Sequence, residues 1–205
     1  MIEPVPGLRL FPGMLDRAAQ ESLLAAVREV VRAAPLFTPR MPRSGKPFSV
    51  AMTNCGPLGW VSGRDGYRYQ PVHPETGKPW PPIPAGLTAI WQTVAGCPGL
   101  PQACLVNHYA PQARMGLHVD RDERDFTAPV VSVSLGDTCV FRYGGTERKD
   151  PTRSLKLNSG DVLVIGGAAR LIHHGVDRII SGTSTLLSQP GRINLTLRRV
   201  DPVDE

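Results

Sequence analysis

Apolar residues recur at helical spacing over residues 16–34, where Leu23, Leu24, Val27, Val30, Val31 and Ala34 fall on one face. Asp16 is placed to cap the start and Pro35 to end the segment. The same period predicts a second helix over residues 84–95, with Leu87, Ile90, Trp91 and Val94 inward and Gly96 just past its end. From about residue 103 the pattern changes to alternation, which predicts strands over residues 103–109, 115–120, 129–135, 138–143, 153–157, 161–165, 170–176 and 191–199. Gly136-Asp137, Gly144-Gly145, Asn158-Ser159-Gly160 and Gly166-Gly167 supply turns between them. Eight short strands at this spacing suggest an antiparallel barrel or jelly roll. Helices first and strands afterwards make the class α+β, with the helices packed on one sheet face. Residues 35–82 hold no period and are rich in Pro, Gly, Ser and Asn, which reads as a lid or binding element. One domain over residues 1–205 then divides into an N-terminal segment and helix (1–34), a lid (35–82), a support helix (83–101) and a jelly-roll core (102–200).

Composition narrows the class. With 41% hydrophobic and 20% charged residues the chain is neither disordered nor fibrous, and Gly 21 plus Pro 21 in 205 residues exclude a long helical bundle. No apolar run is long enough for a membrane span and no export signal is visible, so no membrane partner and a cytoplasmic location are expected. The absence of any obvious extra apolar surface favours a monomer. Cys55, Cys97, Cys104 and Cys139 form no C-x-x-C pair and read as small buried hydrophobes rather than a zinc site. The net charge of +5 is unevenly spread: residues 36–80 carry six basic and two acidic groups. The same stretch holds Phe37, Phe48, Trp60, Tyr67, Tyr69 and Trp80. Cations interleaved with aromatics suit a nucleic-acid strand, although a solvated loop with a few core aromatics has the same composition.

Candidate chemistry enters with His118-Val119-Asp120 at the end of a predicted strand. Positions i and i+2 point to one side, so an imidazole and a carboxylate can grip one ion. A third donor could come from His73, His108 or the His173/His174 pair. Two histidines and one carboxylate leave cis positions open, which suits a ferrous oxygenase better than tetrahedral zinc. The last predicted strand alternates Arg192, Asn194, Thr196 and Arg198 with Ile193, Leu195 and Leu197. Its two arginines share one side, about 20 Å apart at strand rise. Buried arginines need anions, and Asn107 and Tyr109 share a side of another strand. A small dicarboxylate held by Arg, Asn and Tyr and reaching the metal fits these parts.

Taken together, the chain resembles the AlkB family of Fe(II)/2-oxoglutarate-dependent nucleic-acid dealkylases, especially its bacterial DNA-repair members. The resemblance is carried by Met52-Thr53-Asn54-Cys55-Gly56 with Trp60, Asn107-His108-Tyr109-Ala110-Pro111, His118-Val119-Asp120 with Asp122-Glu123, Val131 through Gly136, Gly160-Asp161-Val162, His174-Gly175, and Arg192 through Arg198. It implies a double-stranded β-helix with a nucleotide-recognition lid. It selects His174, directly before a glycine, as the third iron ligand beside His118 and Asp120. It assigns Asn107, Tyr109, Arg192, Asn194 and Arg198 to 2-oxoglutarate. Trp60 would stack on a flipped base, Tyr67 and Tyr69 would lie near phosphates, Asp122 near the exocyclic amine, and Arg148 near base or backbone. Val119 stands where relatives often carry a polar residue and His173 where an aromatic is common. Arg121–Asp125 otherwise reads as a mostly solvated turn, and Asp161 as a turn residue.

The implied reaction uses Fe(II), 2-oxoglutarate and O2 to demethylate bases such as 1-methyladenine and 3-methylcytosine in DNA, releasing formaldehyde, succinate and CO2. The implied partner is alkylated DNA, single-stranded by preference, with RNA also open because a flipped base shows little of its sugar. Alternatives are the same oxygenase chemistry on RNA or a protein, and a non-catalytic jelly-roll module that binds nucleic acid.

Overall fold

The computed structural model describes residues 1–203 as two facing antiparallel sheets with helices on one outer face. In chain order the elements are β1 (Ile2–Val5), β2 (Leu8–Phe11), α1 (Arg17–Ala33), β3 (Val50–Cys55), β4 (Gly59–Gly63), β5 (Gly66–Gln70), α2 (Ala85–Val94), β6 (Ala103–Tyr109), β7 (Met115–His118), β8 (Val130–Gly136), β9 (Thr138–Tyr143), β10 (Arg153–Leu157), β11 (Val162–Ile165), β12 (His174–Ile180) and β13 (Arg192–Arg198). The larger sheet runs β1-β2-β11-β8-β13-β6-β3, the smaller one β10-β9-β12-β7, and β4 and β5 form a separate hairpin.

Both helices form where the periodicity places them. The Asp16 carboxylate accepts the Ala19 N–H at 2.8 Å, capping α1. Leu23, Leu24, Val27 and Val30 of α1 and Leu87, Ile90, Trp91 and Val94 of α2 are buried. They cover the outer face of the large sheet through Val106, Val131, Val133, Val162, Val164, Leu195 and Leu197. The inner face meets the small sheet in a second cluster that includes Leu105, Val130, Phe141, Val176 and Ile179. The large sheet is therefore covered on both sides, and β8 is buried at every position.

Three expectations change. Residues 35–82 are not loop throughout: Val50–Cys55 is the edge strand of the large sheet, in register with β6 from Val50↔Tyr109 to Cys55↔Cys104. Burial of successive residues on both faces erased the alternation that would have revealed it. Residues 170–176 are not one strand; a short 3-10 turn (Gly167–Ala169) leads through Arg170–His173 into β12, which starts at His174 and runs to Ile180. Finally, residues 2–11 form a hairpin whose β2 pairs with β11, too short for a periodic signal. Asp161 behaves as read, its carboxylate accepting the Gly13 and Asn158 N–H groups. Cys55, Cys104 and Cys139 are buried, Cys97 is half-buried, and all four are free.

Candidate active site

The small sheet brings two histidines together by register. His118 of β7 and His174 of β12 are direct cross-strand partners, with ring centroids 4.6 Å apart. Gly175 makes this possible, because a Cβ there would stand 2.5 Å from the Met115 carbonyl oxygen and 2.8 Å from that of Gly116. Asp120, just past β7, completes the group: its Oδ1 lies 3.6 Å from His118 Nε2 and its Oδ2 3.6 Å from His174 Nε2. One donor atom from each of the three lies within 4.8 Å of the others, and no further group of this kind occurs among the described residues.

The donors are prepared for a cation. His118 Nδ1 bonds the Gly116 carbonyl at 2.9 Å and His174 Nδ1 that of Ile172 at 3.1 Å. A carbonyl only accepts, so each Nδ1 carries the proton and each Nε2 presents its lone pair. Burial, reinforced by the neighbouring His174, lowers His118 to about 4. Burial opposes charge on Asp120 too, yet Arg198, helped by the two imidazoles, holds its carboxyl well below the usual range. Arg198 donates to Asp120 Oδ1 at 2.8 Å.

The triad opens into a cavity lined also by Asn107, Tyr109, Arg192, Asn194, Thr196 and Arg198. Every metal and cofactor residue that the family resemblance assigns thus lines one space. The polar side of β13 forms a ladder on β8: Arg192 donates to Ser134 Oγ at 3.0 Å, Asn194 to Ser132 Oγ at 2.6 Å, and Thr196 to Asn194 Oδ1 at 2.9 Å. Arg192 is 1% exposed, and its Nε and one terminal nitrogen have no partner. A buried guanidinium without a counter-charge is costly, and its unpaired N–H groups are open to an anion. The donor set therefore fits a divalent metal and the unpaired arginine fits the distal end of a dicarboxylate such as 2-oxoglutarate. Arg198 differs: acidic and phenolic groups already engage it.

The other histidines stay apart from the triad. His73 donates from Nε2 to the Pro35 carbonyl at 2.8 Å and accepts at Nδ1 from Glu75 and Thr76 N–H groups, within an aromatic cluster with Phe37 and Trp80. His108 faces away from Asn107, and His173 does not line the cavity and leaves its Nδ1 unpartnered.

The residues assigned to substrate divide. Trp60 is 8% exposed, and its indole N–H donates to Asp122 at 2.8 Å. Tyr67, exposed, stacks on Trp60 with centroids 5.1 Å apart. Tyr69 does not face outward: its hydroxyl bonds Glu123 and accepts from Arg198. Arg148 is exposed, bonding the Leu117 carbonyl at 3.4 Å, and does not line the cavity. The solvated-turn reading of Arg121–Asp125 holds for the exposed Arg121, Asp122 and Arg124 but not for Glu123 and Asp125, which are 4% and 7% exposed. Asp125 caps Thr127 and Ala128, while Glu123 pairs with Arg170, itself 3% exposed. Neither Glu123 nor Arg170 stood out as a site residue, since a single charge beside a predicted strand carries no periodic signal; Glu123 surfaced only within the family segment.

Comparison with known proteins agrees with this geometry. The family model described as 2OG-Fe(II) oxygenase superfamily matches residues 7–198. An Alpha-ketoglutarate-dependent dioxygenase AlkB homolog of Caulobacter vibrioides (strain NA1000 / CB15N) is 57% identical over 196 residues, covering 95% of this chain and 88% of its own. Alpha-ketoglutarate-dependent dioxygenase AlkB of Escherichia coli (strain K12) is 45% identical over 185 residues, covering 88% and 85% respectively. The solved structure of OsALKBH1 superposes with a TM-score of 0.79 at 31% identity, covering 95% of this chain and 97% of its own.

Proposed function

The chain belongs to the 2OG-Fe(II) oxygenase superfamily, among the AlkB dioxygenases, and from that premise we propose that it removes alkyl groups from the nitrogens of bases in single-stranded DNA. The observation that carries this reading is the convergence of His118, Asp120 and His174 on the cavity where Arg192 is buried without a counter-charge. His118, Asp120 and His174 hold the iron. Arg192, with Tyr109 beside it, takes the distal carboxylate of 2-oxoglutarate, and Asn107, Asn194 and Arg198 complete its cradle. Bound together with O2, these supply the oxidising equivalent that hydroxylates an N-alkyl carbon, with succinate, CO2 and, for a methyl group, formaldehyde as products.

The protein's part is position and exclusion of water. Hydrocarbon from β6, β8, β9, β11 and β12 walls the cavity through Leu105, Val130, Phe141, Ile165 and Val176. The β4–β5 hairpin, within the basic and aromatic stretch 35–82, is the lid, and its Trp60 and Tyr67 offer flat faces to a base drawn out of the strand. Tyr67 lies against Trp60, so a base entering on that side takes Tyr67's place or stacks on its exposed ring. Such stacking returns about 1–3 kcal/mol, comparable with the unstacking of a damaged base. Asp122 favours the positively charged 1-methyladenine and 3-methylcytosine over neutral bases by Coulomb attraction.

Formaldehyde release from oligonucleotides carrying either lesion tests the proposal. Release is expected only with iron and 2-oxoglutarate both present, and an RNA arm measures sugar preference. Succinate formation with a protein substrate, unaffected by unmethylated DNA and without release from oligonucleotides, would overturn it.

A further inference from the structure

Two carboxylates follow Asp120 closely, and each receives one strand of the β4–β5 hairpin. Trp60 of β4 and Tyr69 of β5 are direct cross-strand partners. The Trp60 indole donates to Asp122 and the Tyr69 hydroxyl to Glu123 Oε1. Glu123 also accepts from Arg170 at 3.0 Å through Oε2, and Arg198 Nε stands 3.4 Å from Oε1 without a hydrogen bond. Arg198 turns its other two nitrogens to the Tyr69 hydroxyl at 3.1 Å and to Asp120 Oδ1 at 2.8 Å. Arg170 holds the same segment from behind, donating to the Asp120 carbonyl at 2.6 Å and the Ala128 carbonyl at 3.0 Å. It also stands on the turn that leads into His174.

Glu123 Oε1 is thus shared by two possible donors, of which Tyr69 has the hydrogen bond. Withdraw the hairpin and the nearest donor left for Oε1 is Arg198. A buried carboxylate claims whatever cation can reach it, so the guanidinium swings toward Glu123 and its hold on Asp120 slackens. We propose that Glu123 is a positioning residue, held by Arg170, that links the seating of the β4–β5 hairpin to the orientation of Arg198 on the iron carboxylate. 2-Oxoglutarate turnover is thereby tied to a hairpin closed over substrate. The inference rests on the function proposed above for this site.

The test uses Tyr69→Phe, which deletes one hydroxyl, and Glu123→Gln. In the metal-free protein, hydrogen exchange at the amides of residues 59–70 should quicken roughly tenfold in each variant, the expected loss of one charge-assisted hydrogen bond, while α1 amides stay unchanged. In the iron-loaded protein, Tyr69→Phe, which leaves Arg198 as the donor nearest Oε1, should slow succinate formation, whereas Glu123→Gln, which removes the charge that draws Arg198 off Asp120, should raise the ratio of succinate formed to formaldehyde released. The double variant should be no worse than the worse single, because both changes cut one link. Unchanged exchange in the hairpin, unchanged succinate formation in Tyr69→Phe, an unchanged ratio in Glu123→Gln, or strictly additive effects would overturn the inference. Should Glu123→Gln not fold, Tyr69→Phe carries the test alone. A wild-type protein that releases no formaldehyde would sink the proposed function, and the exchange measurement would still judge the link.

Discussion

Arg192 and His174 show what individual side chains decide. Two nitrogens of Arg192, itself 1% exposed, lack partners. Arg192→Met should therefore raise the KM for 2-oxoglutarate about 10–100-fold, the worth of a charge-assisted pair, and leave Mn(II) binding to the triad intact; titration of both ligands checks this. His174→Ala should abolish 2-oxoglutarate turnover and His173→Ala should keep much of it, since only His174 points at Asp120. At this scale the sequence is informative where chemistry repeats with a strand: His118 with Asp120, and Arg192 with Asn194 and Arg198, are separated by even steps. It is uninformative where a charge is buried by distant chain. Arg170 and Glu123 meet across 47 positions, and Tyr69 and Glu123 across 54.

Elements convert these residues into geometry through close backbone approach. Gly175→Ala places a methyl group 2.5 Å from the Met115 carbonyl oxygen. It should drive β7 from β12, part His118 from His174, and weaken Mn(II) binding more than it lowers the unfolding midpoint, as calorimetry of metal-free and metal-loaded protein would show. Leu195, fully buried on the helix-facing side of β13, makes a contrast. Leu195→Ala should cost about 2–5 kcal/mol of stability by denaturant titration, with the metal site retained in the folded fraction. Helices were legible because one face of each is apolar and the other wet. Strands were legible where apolar and polar residues alternate, as in Val131-Ser132-Val133-Ser134 of β8 and Arg192 through Arg198 of β13, although both faces are buried. β3, buried on both sides, and the short N-terminal hairpin had no such contrast to display, and the Leu171-Ile172 pair imitated a strand although the chain turns there.

The whole molecule responds to pH and salt through these placements. Folded His118 gives up its proton near 4, whereas the unfolded chain holds one up to about 6.5. The unfolded state therefore binds more protons between those values. This group should leave the stability of the metal-free protein unaffected above about pH 6.5 and lower it as pH drops toward 4, below which the depressed carboxyl of Asp120 carries the decline further. Urea midpoints across that range measure it, and His118→Gln should flatten the decline. Oligonucleotide binding should weaken steeply with salt if residues 36–80 meet phosphates; a flat response would return that stretch to the role of a solvated loop. The order of layers was legible in the sequence, but the place of β13 was not. It follows the other strands in order among the described residues and lies mid-sheet, between β8 and β6. Until β13 seats between them, β8 and β6 keep two raw edges facing an empty slot, and the chain can neither close the sheet nor offer an anion its guanidinium groups. Maturation of the fold and readiness for the co-substrate arrive in the same late event.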